Sequence, residues 1–287
     1  MAVVVTPEIR PIQKHTITYR VLRHQAKNPV KTIEVWASPE EIRFLVEQGY
    51  LVRPGLIQGE ELQRLRDALD EVEAEERSQG AKESTSRAFG GLFLRYLEDK
   101  HPAFRDMIKY PPTLSVARAV LGPLVQIRGF GSRIVAPGEP NSETEWHQHM
   151  QVATDPPSPW FMRPHGLDCL IYLDEITEDN GPICLIPGSH RDMVAANMPA
   201  HVFEDVPNQV ELRLPAGSIL LLHATMWHRA KPPTAQNKKR RLLLLNYTPT
   251  WMKRTPFGVK PENGLTKPLI EAGDPEVLDL LGVASWL

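Results

Sequence analysis

Two histidines one residue apart, His147 and His149, are the side chains of this sequence best placed to do chemistry. They lie in the run Glu145-Trp146-His147-Gln148-His149-Met150, where an extended segment meets a Pro-rich loop. Residues i and i+2 of a strand point to the same side, so both imidazoles can reach one point in space. A second source of imidazoles follows in His223-Ala224-Thr225-Met226-Trp227-His228. The basic cluster Lys238-Lys239-Arg240-Arg241 then opens an apolar run, Leu242-Leu243-Leu244-Leu245. Two imidazoles from one strand end, a third from a distant strand and an arginine on the next strand describe a metal site inside a β-barrel.

The elements that must hold these groups can be read from caps, periods and turns. Ser38-Pro39-Glu40-Glu41 is a helix start, with Ser as N-cap, Pro at the first helical position and Glu three residues after the cap. The helix runs to Gly49, and residues 50–52 are strand-like up to Pro54-Gly55. A second helix is expected over 59–77, with Leu62, Leu65, Leu69 and Val72 as its apolar stripe and a charged opposite face. Residues 78–90 have the polarity of a mobile loop, and short helices are expected near 102–110 and 112–121.

From residue 122 the period becomes that of strands: 125–130, 132–135, 167–173, 183–186, 209–214, 218–223 and 241–248. Gly129 and Gly131 suggest bulges. Asn180-Gly181 is the strongest hairpin signal, and Pro215-Ala216-Gly217 is a second tight turn. The fold class is therefore mostly β, a double-sheet barrel or jelly roll with flanking N-terminal helices. Residues 1–37 read as an N-terminal arm, loosely packed or of short edge strands. Residues 38–287 form a single domain: a helical flank at 38–121, a β-barrel core at 122–250 and a C-terminal tail at 251–287.

Composition narrows the function classes. The formal net charge of the 287 residues is -2, which lacks the basic excess that nucleic acid or an anionic membrane surface requires. No apolar run approaches the ~20 residues of a membrane span. The start Met1-Ala2-Val3-Val4-Val5 lacks the features of a signal peptide. The two cysteines, Cys169 and Cys184, lie in apolar strand-like segments and read as buried thiols of a cytosolic protein, not as a disulfide scaffold.

Taken together, the motifs resemble the phytanoyl-CoA dioxygenase family. They are Trp146-His147-Gln148-His149, then Asn180-Gly181-Pro182-Ile183-Cys184-Leu185-Ile186-Pro187-Gly188-Ser189-His190, then the run 217–228 ending in His228, then an arginine on the next strand. Glu47-Gln48-Gly49-Tyr50-Leu51-Val52 and the helix after it are also similar to that family's N-terminal segment, so the resemblance covers roughly 40–250. It implies a double-stranded β-helix, Fe(II) and 2-oxoglutarate as co-substrate. It makes His147 the proximal and His228 the distal ligand, with Arg240 clamping the far carboxylate of the keto acid, 240 − 228 = 12 residues after His228. Arg241 competes with Arg240, because a shift of one residue turns the side chain to the other face. The activity implied is oxidation, such as hydroxylation, of a small organic molecule with O2 as oxidant.

Two positions depart from the family. Where its triad has an aspartate, this chain has His149. His149 can serve as a neutral third ligand, a carboxylate such as Glu145 or Asp155 can complete the triad, or the metal site is degraded. Ala230 stands where the family often has a hydroxyl for 2-oxoglutarate. The alternative function is a metal-binding barrel with a three-histidine site that is non-catalytic or uses no 2-oxoglutarate. Arg163 and His165, near where members of that family admit substrate, and Trp146, walling the pocket beside His147, are candidates to meet substrate. His223, in an apolar run, and His190, at a turn, are expected to be structural.

Overall fold

Three short strands precede the first helix: β1 (Val3–Val5), β2 (His15–Arg20) and β3 (Val30–Val35). In the computed structural model, residues 3–20, 30–84, 86, 89–139, 142–149, 165–191, 201–234, 238–253 and 263–284 are described. β2 and β3 form an antiparallel pair, and β1 adds to a larger sheet by pairing with a strand near residue 210.

Helix α1 (Pro39–Gln48) starts as its sequence dictates. Ser38 Oγ accepts the Glu41 N–H at 3.2 Å, and the Glu41 carboxylate accepts the Ser38 N–H at 2.7 Å. β4 (Tyr50–Arg53) and α2 (Gly59–Ser78) follow, and Leu62, Leu65, Ala68, Leu69 and Val72 are the buried face of α2. Then come β5 (Leu92–Arg95) and the short helices α3 (Leu97–Lys100) and α4 (Pro102–Arg105). A 3-10 turn over Asp106–Lys109 leads to α5 (Pro111–Leu121).

The strands that carry the site are β6 (Val125–Val135), β7 (Thr144–His147), β8 (Leu167–Tyr172), β9 (Ile183–Leu185), β10 (Val210–Leu212), β11 (Ser218–His223), β12 (His228–Ala230) and β13 (Arg240–Pro249). Helices α6 (Lys267–Glu271) and α7 (Pro275–Leu280) close the chain, with Val277 and Leu280 in the core. A six-stranded antiparallel sheet has the order β4-β11-β8-β13-β6-β5. A five-stranded sheet has the order β1-β10-β9-β12-β7, antiparallel except for β1 on β10. Among the described residues, apart from the separate β2–β3 pair, the strands thus form two sheets, a double-stranded β-helix rather than a closed barrel.

Alternation along β13 sorts the core. Leu243, Leu245 and Tyr247 join the cluster under the helices, whereas Leu242 and Leu244 join the one between the sheets. The six-stranded sheet is covered on both faces, which is why β8 and β11 are buried at every residue and read as unbroken apolar runs.

Two turn assignments need correction. Asn180-Gly181 does not close a hairpin: β8 and β9, which flank it, belong to different sheets, and the turn carries the chain across. Residues 125–135 are one strand, whose register on β13 slips between Asn246 and Tyr247, so that Arg128 is the extra residue. Gly131 is regularly paired; it is glycine because a Cβ there would lie 2.6 Å from the Leu94 carbonyl oxygen of β5.

Candidate metal centre

His147 ends β7 and His228 begins β12, and the two residues are directly opposite in the antiparallel register. Past the strand end, the His149 N–H donates to the Ala224 carbonyl at 2.8 Å. The ring centroids lie 4.2 Å apart for His147 and His228, 4.9 Å for His149 and His228, and 5.3 Å for His147 and His149. One nitrogen from each ring falls within 4.8 Å of the others.

The remaining nitrogens show how the rings are held. His147 Nδ1 meets the Glu145 carbonyl at 2.8 Å, and His228 Nδ1 meets the Met226 carbonyl at 2.9 Å. His149 Nδ1 lies 2.6 Å from Asp168 Oδ2. A carbonyl oxygen can only accept, so Nδ1 of His147 and His228 carries the proton and Nε2 keeps its lone pair. That is the tautomer a metal-binding imidazole needs. Burial, with the neighbouring His149, pushes His147 down to about 4, and burial with His147 and His149 pushes His228 well below its usual value. Both stay neutral and ready to ligate at physiological pH. The donor set therefore fits a divalent transition metal.

Asp168 is the residue beside the cluster that sequence reasoning missed. It is 1% exposed, and its other oxygen accepts from Arg128 Nη2 at 2.7 Å. Burial alone would raise this carboxyl, but Arg128 and His149 outweigh it and hold Asp168 below the usual carboxylate range. The signal was a single acidic residue in the otherwise apolar strand Leu167-Asp168-Cys169-Leu170-Ile171-Tyr172. Among the described residues, the carboxylate that reaches the imidazoles is Asp168 and not Glu145, and it does so through His149; Asp155 lies outside them.

The histidines open into a cavity of ≈ 480 Å³ that is also lined by Arg133, Arg240, Thr144 and Tyr172. Arg240 is 4% exposed; its Nη1 donates to the Gly181 carbonyl at 2.7 Å and to that of Asn180 at 3.3 Å, and its Nη2 to that of Ser142 at 3.2 Å. Gly181 has φ +70°, and a Cβ there would fall 1.9 Å from Arg240 Nη1, so the guanidinium occupies the space a side chain would need. Arg133 Nε donates to the Gly90 carbonyl at 2.8 Å, Nη1 to Thr144 Oγ1 at 3.1 Å and Nη2 to the Ser142 carbonyl at 2.8 Å. Burial and the charge of Arg240 push Arg133 down to about 9. Neither guanidinium has a carboxylate partner among the described residues.

Three expected site residues lie elsewhere. Arg241 points to the helical side, where it pairs with Asp70 and Asp174, because it is one residue out of phase with Arg240. Trp146, one residue before His147, points away from the cavity; it is 2% exposed, packs with Cys184 and Trp227, and donates Nε1–H to the Glu204 carbonyl at 2.8 Å. His165 is 4% exposed, with its ring 6.4 Å from that of Trp251, and does not line the cavity. Arg163 lies outside the described residues. His223 and His190 pack 4.8 Å apart, bound to Thr225 Oγ1 and the Val46 carbonyl respectively. The Gly188-Ser189-His190 turn also supports the site, since Ser189 Oγ accepts the Trp227 N–H at 3.0 Å just before His228.

The sequence profile described as phytanoyl-CoA dioxygenase matches residues 45–241. The chain belongs to the phytanoyl-CoA dioxygenase family. It is a dioxygenase of that family, and its three-histidine cluster lies within the matched residues. Among curated relatives, dioxygenase af480 of Aspergillus fumigatus is 25% identical over 252 residues, which is 84% of this chain and 75% of that protein. Ectoine dioxygenase of Bordetella bronchiseptica is 26% identical over 165 residues, 55% of this chain and about half (51%) of that protein. The crystal structure of HygX from Streptomyces hygroscopicus with nickel and 2-oxoglutarate bound superposes with a TM-score of 0.61 at 17% identity, covering 76% of this chain and 90% of that one. That likeness shows the shared fold. Among the described residues no helix is long and apolar enough to cross a membrane.

Proposed function

We propose that His147, His149 and His228 hold the iron, that Arg240 clamps the far carboxylate of 2-oxoglutarate, and that the chain hydroxylates a small organic molecule with O2 as oxidant. The observation that carries this reading is the convergence of three tethered imidazoles in one cavity with two buried guanidiniums that, among the described residues, lack carboxylate partners. The chemistry iron supplies with this co-substrate is oxygen activation coupled to decarboxylation of the keto acid. In sum, substrate C–H, O2 and 2-oxoglutarate give substrate C–OH, succinate and CO2.

The chain's own residues bind and orient. Arg240 offers its planar fork, which suits a carboxylate better than an ammonium would. Arg133 adds a second positive charge beside it. Thr144, directly opposite Ala230 in the β7–β12 register, supplies the hydroxyl that position 230 lacks. Phe89 sets its ring edge-on to His147 with centroids 5.4 Å apart and shields that imidazole from water. Two buried cysteines without a disulfide support a cytosolic setting.

Anaerobically loaded protein is expected to form succinate from 2-oxoglutarate in an iron-dependent reaction that substrate accelerates. Iron binding without succinate formation under any substrate tried would remove the co-substrate and leave a three-histidine metal-binding protein.

A further inference from the structure

We propose that Asp168 is a positioning residue for the metal: through His149 it delivers the negative charge that an aspartate at position 149 would have supplied directly. The inference rests on the three-histidine reading above.

Position 149 explains the arrangement. An aspartate there would put its carboxylate on the metal. A histidine places an imidazole between, one nitrogen toward the other two rings and the other 2.6 Å from Asp168 Oδ2. The carboxylate has thus moved outward by the width of one ring. A carboxylate on Nδ1–H fixes the tautomer and makes Nε2 a stronger donor.

A role limited to pairing Arg128 does not account for the geometry. A buried ion pair is costly to desolvate, and Arg128 engages only one oxygen. The other oxygen faces His149, 2.6 Å from its Nδ1. Two backbone features set this up. Asp168 sits on β8 opposite Asn246 of β13, and the extra residue that slips β6 against β13 is Arg128 itself. The bulge turns Arg128 toward the far oxygen, which leaves the near one for the imidazole.

The test uses the full-length chain stripped of metal under anaerobic conditions, with Co(II) as a visible probe and Fe(II) as a second titrant. Asp168→Asn keeps the side-chain shape and removes the charge. It is expected to weaken Co(II) binding about 10–100-fold, the range for losing such a partner, and to shift the visible Co(II) bands. Arg128→Gln/Asp168→Asn removes both charges, covers the case in which the single variant fails to fold, and is expected to show the same loss. In a His149→Asp background the carboxylate ligates directly, so adding Asp168→Asn is expected to leave affinity unchanged or tighten it. The proposal is overturned if both Asp168 variants bind Co(II) within twofold of the parent. It is also overturned if Asp168→Asn weakens binding as much in the His149→Asp background, which would mark a general structural loss. A parent chain that binds neither Co(II) nor Fe(II) would instead sink the three-histidine reading itself.

Discussion

Arg240 and Arg241 differ by one position in sequence and by a whole face of the sheet in space. Arg240→Ala is expected to weaken 2-oxoglutarate binding by roughly 1.5–3 kcal/mol, the range for hydrogen bonds to a charged group. Arg241→Ala should leave that affinity alone and cost roughly 1–3 kcal/mol of stability, because Asp70 and Asp174 lose a shared donor. Titration calorimetry with 2-oxoglutarate and urea unfolding on both variants separate the two effects; loss of co-substrate binding in Arg241→Ala alone would reverse the assignment. The sequence could name the two arginines but not choose by pattern, since both alternating sets along β13 are apolar in the middle. The histidines were legible because His147 and His149 are close in sequence, although β7 ends at His147 and His149 is held past the strand end by the Ala224 carbonyl. Asp168 was not: its partners are 19 and 40 residues away in sequence, and its strand reads as core. Trp146 was misread because proximity in sequence outweighed the same alternation that placed His147.

At the scale of elements, the turn at Gly181 does more than change direction. Gly181→Ala would force a methyl into the space of Arg240 Nη1 at a residue with φ +70°. The expected result is at least a tenfold loss in 2-oxoglutarate affinity with Co(II) affinity within threefold of the parent, both measured by titration. Equal losses for both ligands would mean that the turn supports the whole site rather than the guanidinium. Helices α1 and α2 lie within a residue of where their caps and apolar stripe put them, because those signals are local. The Asn-Gly signal was local too, yet a left-handed glycine serves a sheet crossing as well as a hairpin. The choice between them depends on which strands pair, and that is a long-range fact. Gly129 and Gly131 likewise marked an irregular region without showing that the extra residue is Arg128.

Over the whole molecule, burial decides the behaviour of the two thiols. Cys169 and Cys184 are fully buried, and desolvation pushes Cys184 up to about 11 and Cys169 well above its usual value. In the native chain both are expected to resist a thiol-reactive disulfide reagent at pH 8 and to react when urea unfolds the protein. The unfolded Cys184 thiol ionises near pH 8.5, well before the folded one. Between those values the unfolded state binds fewer protons, so this contribution to stability is complete below about pH 8.5 and declines as pH rises toward 11. The fall in urea midpoint from pH 8 to pH 10 should therefore be smaller in Cys184→Ala than in the parent. An equal fall would mean that Cys184 takes no part in it.

The pairing of His147 with His228 has a mechanical side. β7 is the last strand of its sheet, laddered to β12, with the Trp146 N–H bonded to the Val202 carbonyl. A metal gripping both rings would rivet a terminal strand to its neighbour and close a loop of 228 − 147 = 81 residues. At a free metal concentration 100 times its Kd, binding to the native state alone adds about 2.7 kcal/mol of stability. It should also appear as slower fraying of β7, read as lower amide hydrogen exchange at Glu145 and Trp146 on adding Co(II). The ion would then ration the opening of its own doorway as well as occupy the room behind it.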